Sequence, residues 1–318
     1  MAATPTRSTR VTGTSFIDLV HVDATRGGQR ATASGDRFDV KRLYLSLTHQ
    51  FDQTWSAAVT TDFNYASTGR GTRFFVKKAY VQGRFGKLAV LRIGSANTPW
   101  IAFVEHWYGY RFVENTLIDR LKFGNSADWG VHLLGNDGRI DYQVSVLNGA
   151  GYRDPSPSHS VDVAARVGYQ PINGLVIAAG AYAGDRGKGT TAAPALRRAQ
   201  RYDAMIAYAA HGIRVGAEWF RATDWNHVAK PGTDAARGWS LWGSYAFGAA
   251  SVFARYDRAL PSRRLDASLV DTYYNAGIAF RVSRNLRVAV AYKDEKLQNG
   301  STPDIRSREI GVWGAVQF

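Results

Sequence analysis

Apolar and polar residues alternate along most of the chain, and this alternation is the main structural signal of the sequence. From Trp55 to Tyr65, nearly every second residue is apolar or aromatic, whereas most of the residues between them are small or polar. Similar runs recur at 129–133, 140–146, 161–169, 213–219, 239–247 and 286–292. A period of two is that of a β-strand, whose side chains point alternately to the two faces of a sheet. Helical spacing is hard to find, so an all-β fold is predicted.

These runs predict about sixteen strands, separated by connections that alternate between short and long. The predicted strands are 13–23, 37–50, 54–65, 73–85, 88–95, 127–135, 139–149, 160–170, 174–183, 200–210, 213–223, 238–247, 249–258, 270–282, 286–296 and 307–318. The long connections are 24–36, 66–72, 96–126, 150–159, 184–199, 224–237, 259–269 and 297–306. An even number of antiparallel strands with this alternation is typical of a transmembrane antiparallel β-barrel with short periplasmic turns and long extracellular loops.

The nature of the two faces separates a membrane barrel from a soluble β-sandwich. Aromatic residues such as Trp129, Trp219 and Trp239 lie at the ends of the apolar faces, where the interfacial girdles of a barrel belong. The opposite face carries charges of both signs together with many small residues. A soluble β-protein that binds polyanions remains the alternative. We predict a single barrel domain over 12–318, located in the bacterial outer membrane.

The two ends of the chain fit this interpretation. Residues 1–11 are polar and contain no apolar core of a signal peptide, so they are expected to form a periplasmic tail or leader. The last residue is Phe318, and apolar residues or glycine occupy every second position before it back to Ile310. Such a terminal strand resembles the assembly signal of outer-membrane proteins, which implies contact with the barrel-assembly machinery and with outer-membrane lipids.

Composition narrows the classes further. The 318 residues include 40 Lys and Arg against 26 Asp and Glu, and no Cys. The net charge of +14 would suit a nucleic-acid-binding protein, but the basic residues are spread singly instead of forming clusters, so no nucleic-acid partner is predicted. No window approaches the roughly 20 apolar residues of a membrane-spanning helix. The histidines lie in no catalytic motif and no metal-ligand spacing, so neither an enzyme, a metal nor a cofactor is predicted.

One part of the sequence resembles a known family. The segments 38–47, 55–64, 76–81 and 91–94, which include Val76-Lys77-Lys78-Ala79-Tyr80-Val81 and Leu91-Arg92-Ile93-Gly94, are similar to the N-terminal third of the phosphate-selective porin O/P family. This resemblance implies a sixteen-stranded, homotrimeric channel that prefers anions.

If the apolar alternates face lipid, the other register lines the lumen and can be read directly. Its basic residues are Arg42, Lys78, Arg84, Arg92, Arg166, Arg201, Arg214, Arg255, Arg281, Arg287 and Lys293. Its acidic residues are Asp62, Asp141, Asp162, Asp203, Glu218, Asp257 and Glu309. Basic side chains in a water-filled pore favour anions, although cross-strand ion pairs could equally make them structural.

The longest connection, 96–126, is expected to fold inward and narrow the pore, by analogy with general porins. His106, Arg111 and Arg120 could then face the passage, while Glu105 and Glu114 could anchor the loop to wall arginines. The alternative is an outward loop that covers the mouth.

The predicted function is therefore diffusion of small anionic or neutral hydrophilic solutes. A substrate-specific or plugged barrel, or a barrel enzyme, is the second hypothesis.

Overall fold

The computed structural model describes residues 7–65, 71–155, 160–187, 198–225, 232–300 and 303–318. Parts of the predicted tail and of five predicted long loops lie outside these residues. Within them the chain forms sixteen long strands and one two-residue strand, β2. The strands are β1 Ser8–Arg26, β2 Gln29–Arg30, β3 Gly35–Gln50, β4 Trp55–Tyr65, β5 Thr72–Arg84, β6 Val90–Asn97, β7 Ala127–Asn136, β8 Ile140–Leu147, β9 Asp162–Tyr169, β10 Leu175–Gly184, β11 Ala199–Ala210, β12 Ile213–Thr223, β13 Ala235–Phe247, β14 Ala250–Leu260, β15 Val270–Arg281, β16 Leu286–Gln298 and β17 Ile305–Gln317.

The long strands form one closed antiparallel barrel, as the sequence predicts. Each pairs with its neighbours along the chain, and β1 closes the cylinder by pairing with β17 from Thr14–Gln317 to Arg26–Ile305. Closure leaves no sheet edge, so the backbone hydrogen bonds of a strand in lipid are satisfied. Strand β1 begins at Ser8, within the predicted tail, because its first residues pair with the end of β3. The backbone of Phe318 exchanges two hydrogen bonds with that of Gly13.

The outer surface of the barrel is apolar, and the inner surface is polar and buried. Along β11, Ile206 is 50% exposed, whereas its neighbour Met205 is 3% exposed. In a water-soluble protein such an exposed apolar register would be unfavourable, but in a bilayer it contacts acyl chains.

Two short helices lie in the 96–126 connection, where the sequence analysis predicts none. They are α1, Ile101–Tyr108, and α2, Leu117–Arg120. No helix within the described residues is long and apolar enough to cross a membrane.

The assignment of the two faces predicts opposite effects of one substitution on the same strand. Leu241 is 51% exposed near the centre of β13, and Leu241→Arg should destabilise the barrel by about 2–4 kcal/mol because a charge would enter lipid. Ser244 lines an internal cavity, so Ser244→Arg should cost much less. Urea unfolding in lipid vesicles measures both variants, and equal losses would mean that the faces are misassigned.

Candidate functional site

Helix α1 is amphipathic, and its apolar face packs against the inner wall of the barrel. Ile101, Val104 and Tyr108 are almost fully buried, and their spacing of three and four places them on one helix face. Glu105 and His106 lie on the more accessible side. The helix ends at Gly109, whose left-handed φ of 77° lets its N–H bond the carbonyl of Glu105 at 3.0 Å.

Aromatic contacts hold the loop against the strands β12 to β14. The Trp100 indole N–H donates to Oε1 of Glu218 at 2.7 Å, with both side chains buried. Tyr110 stacks on Phe253 with ring centroids 4.4 Å apart. These contacts join the loop to buried side chains of β12 and β14.

A buried ion-pair network fixes the second half of the loop. The Arg120 guanidinium contacts Asp257 at 3.3 Å, Asp271 at 2.5 Å and Glu295 at 2.5 Å, from strands β14, β15 and β16. Its side chain is only 5% exposed. The sequence analysis expects Arg120 to face the passage. Instead its guanidinium lies against the wall, where it contacts three carboxylates.

Glu114 makes a second anchor. Its carboxylate lies 2.8 Å from Nζ of Lys293, which also contacts Glu309 at 2.9 Å. Burial raises the pKa of the Glu114 carboxyl, but the ammonium groups of Lys293 and Lys41 outweigh burial and hold the pKa well below its usual range. The anchor therefore stays charged under mildly acidic conditions.

Because the Glu114 pKa is lowered on folding, its contribution to stability is fully present above the unfolded-state pKa and is lost only as the pH falls through the folded value. Glu114→Gln should consequently melt at a lower temperature than the wild type at pH 7, with the same difference at pH 5. Thermal unfolding followed by circular dichroism across this range measures the effect. A difference that disappears between pH 7 and pH 5 would contradict the assignment.

The wall formed by β3 to β6 carries many basic side chains. A β-bulge in β3 and another in β5 turn additional basic residues toward the lumen. Strand β1 pairs Phe16 with Arg42 and then Ile17 with Val40, so one extra residue, Lys41, is inserted. The same irregularity on β5 inserts Lys77 beside Lys78. A bulge lets two successive residues point to one face, so each adjacent basic pair faces the lumen.

Lys77, Lys78 and Arg92 have no ion-pair partner among the described residues. Aromatic and amide groups position them instead. The Lys77 ammonium donates to the Tyr44 hydroxyl at 3.0 Å, and Arg92 donates to Oε1 of Gln82 at 2.8 Å. We call Lys77, Lys78 and Arg92 the basic wall.

The loop presents a charged pair near the basic wall. Arg111 donates to Glu105 of the same loop, so Glu105 does not reach the wall arginine that the sequence analysis expects. The Arg111 guanidinium also lies 5.9 Å from the Tyr44 ring centroid. Glu105, His106 and Arg111 line an open cavity of about 390 Å³ between the loop and the barrel wall.

A second group of unpaired bases lies below the loop, toward the short turns. Arg214 donates to the carbonyls of His106 and Trp107, at 2.9 and 2.6 Å. Arg287 donates to the carbonyl of Gly109 at 3.1 Å. Together with Arg281 they line a cavity of about 320 Å³.

All eleven predicted lumen bases lie in the inward register but in different settings. Arg201 and Lys293 are paired with Asp203 and Glu114 at 2.8 Å each. Arg166 and Arg255 are paired with Asp141 and Asp257 at 2.6 Å each, and both also bond carbonyls of the loop. Arg42 lies 3.9 Å from Asp62. Arg84 and Arg281 are exposed at the turn end of the barrel. Lys78, Arg92, Arg214 and Arg287 have no carboxylate partner within the described residues.

The predicted lumen acids, in contrast, are all engaged. Five of them contact bases within 4 Å: Asp62, Asp141, Asp203, Asp257 and Glu309. Asp162 accepts a hydrogen bond from the Tyr182 hydroxyl, and Glu218 accepts one from Trp100. Among the predicted lumen residues, the bases without an oppositely charged partner therefore outnumber such acids.

The sequence analysis missed Lys41 and Lys77, because strict alternation assigns them to the lipid face. The positions of the apolar residues in the sequence nevertheless indicate the bulge. Exposed apolar residues occupy even positions before the bulge of β5, at Phe74 and Val76, and an odd position after it, at Val81. Such a change of phase within a strand indicates an inserted residue.

Comparison with known families now identifies the class of protein. The sequence matches the family model of Gram-negative porins over residues 1–312. The chain belongs to the Gram-negative porin family. This family accounts for the closed sixteen-stranded barrel and supports an outer-membrane channel over an enzyme.

Solved porin structures share the fold at low sequence identity. The anion-selective porin from Comamonas acidovorans aligns with 12% identity and a TM-score of 0.69, covering 98% of this chain and 100% of that one. The outer-membrane channel DcaP of Acinetobacter baumannii aligns with 11% identity and a TM-score of 0.69, covering 100% of each chain. The trimer form of OmpT from Vibrio cholerae aligns with 11% identity and a TM-score of 0.63, covering 98% of this chain and 99% of that one. No curated protein sequence matches this porin.

Proposed function

We propose that this porin admits small hydrophilic solutes with a preference for anions, and that residues 96–126 form its constriction. The observation that carries the proposal is the imbalance of pairing in the lumen. Five of the seven predicted lumen acids lie within 4 Å of a base, whereas the basic wall and the group of Arg214, Arg281 and Arg287 have no carboxylate within 4 Å among the described residues.

The basic wall lies where its field acts on a passing ion. The Lys77 ammonium lies 4.6 Å from the Tyr44 ring centroid, and Arg111 of the loop lies 5.9 Å from the same centroid, so the basic wall and the loop are close together. Low-dielectric walls on both sides focus the field and raise the local concentration of anions. Neutral partners such as Tyr44 and Gln82 do not cancel the charge of the bases they hold.

The resemblance of residues 38–94 to phosphate-selective porins makes inorganic phosphate the first solute to test. The anion-selective porin from Comamonas acidovorans shares the fold, which agrees with this direction of selectivity. Guanidinium and ammonium groups bind phosphate oxygens through charge-assisted hydrogen bonds.

The decisive experiment is a reversal-potential measurement on the full chain in a planar bilayer under a potassium chloride gradient. We expect a reversal potential whose sign shows that chloride is more permeant than potassium. A potential of the opposite sign would reject anion preference, and the absence of conductance steps would favour the plugged or substrate-specific alternative. Replacing chloride by phosphate on one side then ranks the two anions.

We also propose that the porin is a homotrimer assembled into the outer membrane through its C-terminal strand, with Phe318 as part of the assembly signal. Seminative electrophoresis of the unheated protein tests the trimer. Deletion of Phe318 should lower the yield of folded barrel in cells.

A further inference from the structure

Three arginines project outward from neighbouring strands near the long-loop end of the barrel. Arg221, Arg237 and Arg258 belong to β12, β13 and β14, and all three are exposed in the register that faces lipid. Arg221 lies directly opposite Arg237 in the sheet, and Arg258 lies opposite Trp239. We call these three residues the outer arginine cluster.

Each arginine stands one outward-facing position beyond an aromatic residue of its own strand: Trp219, Trp239 or Tyr256. Trp239 and Tyr256 contact each other with ring centroids 5.4 Å apart. Aromatic girdles mark the boundary between acyl chains and headgroups. Two residues of strand span about 7 Å, so the outer arginine cluster lies at headgroup level.

No carboxylate of the described residues lies within 4 Å of the cluster. Other outward-facing arginines of the barrel do have such partners. The outward bases Arg306 and Arg308 contact acids of neighbouring strands, Asp294 at 2.5 Å and Asp23 at 3.3 Å. Like charges directly opposite each other in a sheet are destabilising unless something neutralises them.

The acidic residues near the cluster already bind other groups. Glu218 and Asp257 point inward and bond Trp100 and Arg255. Asp234 accepts hydrogen bonds from backbone N–H groups, including that of Ala235 at 2.7 Å. Neutralisation must therefore come from a group outside these residues.

A groove beside two members of the cluster is lined by both basic and apolar side chains. Its volume is about 280 Å³, and it is lined by Arg237 and Arg258 together with Trp219, Trp239 and Leu260. The guanidinium groups fit phosphate oxygens, which they bind in a bidentate manner. The indole and leucine side chains fit the acyl chain that continues from such a headgroup.

We propose that the outer arginine cluster binds the phosphate group of an anionic, phosphorylated lipid of the surrounding leaflet, with its acyl chain in the adjacent groove. The site is separate from the lumen and does not depend on the proposed selectivity.

Native mass spectrometry of the full chain in uncharged detergent tests the proposal, with diphosphorylated lipid A as the probe. The triple variant Arg221→Gln, Arg237→Gln, Arg258→Gln is compared with Lys87→Gln, Arg139→Gln, Arg284→Gln, which removes three exposed charges from the short turns. Each basic residue near an anionic lipid contributes roughly a five-fold factor, so the cluster variant should bind about 100-fold more weakly. The turn variant should bind as the wild type does.

Several results would overturn the proposal: wild-type affinity of the cluster variant, an equal loss in the turn variant, or equal binding of dephosphorylated lipid A. Full displacement of the lipid by inorganic phosphate would assign the cluster to a free anion. A change of oligomeric state in the cluster variant would assign it to a contact between subunits. Should the triple variant fail to fold, Arg237→Gln alone should weaken binding about five-fold.

Discussion

Exchanging Lys78 and Arg92 for glutamate should lower the anion-to-cation permeability ratio about ten-fold and reverse the sign of the selectivity. The substitutions change the charge of the basic wall by four units. A unit charge about 8 Å from an ion in water contributes roughly 0.5 kcal/mol, so the four units amount to about 2 kcal/mol before screening by salt. Reversal potentials in a salt gradient measure the effect.

The matched control changes the same number of charges outside the lumen. Arg139→Glu and Arg263→Glu alter exposed residues in a short turn and in a long loop, where bulk ions screen them within about 8–10 Å. These variants should leave the reversal potential nearly unchanged. If they match the wall variants, selectivity is set at the mouths of the channel and the basic wall is not the filter.

Barrel architecture was accessible from the sequence because it depends on a repeated local pattern. Each wall strand exposes one register to lipid, so the period of two survives outside the bulges of β3 and β5, as at Ile206 on β11 and Leu241 on β13. All sixteen long strands therefore lie close to their predicted ranges.

The details of the lumen were less accessible because they depend on contacts between distant segments. Arg120 resembles Arg111 as a loop arginine, yet only Arg120 meets three wall carboxylates. Helix α1 shows helical spacing at Ile101, Val104 and Tyr108, but the run is too short to stand out among strands. The wall that buries it is formed by residues more than 100 positions away, such as Glu218.

The Arg120 network should control whether the loop stays on the wall. Arg120→Met removes the cation that contacts Asp257, Asp271 and Glu295 together. Arg255 remains as the partner of Asp257, but it contacts neither of the other two acids. Breaking a buried pair by removing one partner costs about 3–5 kcal/mol, because the charges of Asp257 and Asp271, at most 3% exposed, stay desolvated. We expect the loop to detach, so that the open-channel current becomes larger and fluctuates between levels.

Two further variants separate release of the loop from general damage to the barrel. Arg308→Met removes a half-exposed rim cation, 40% exposed and 3.3 Å from Asp23, and should cost at most about 1 kcal/mol with no change in current. Adding Asp271→Asn and Glu295→Gln to Arg120→Met removes the uncompensated charges and should restore a steady current. Single-channel recordings that show a wild-type current for Arg120→Met would mean that aromatic contacts such as Tyr110 on Phe253 suffice to hold the loop.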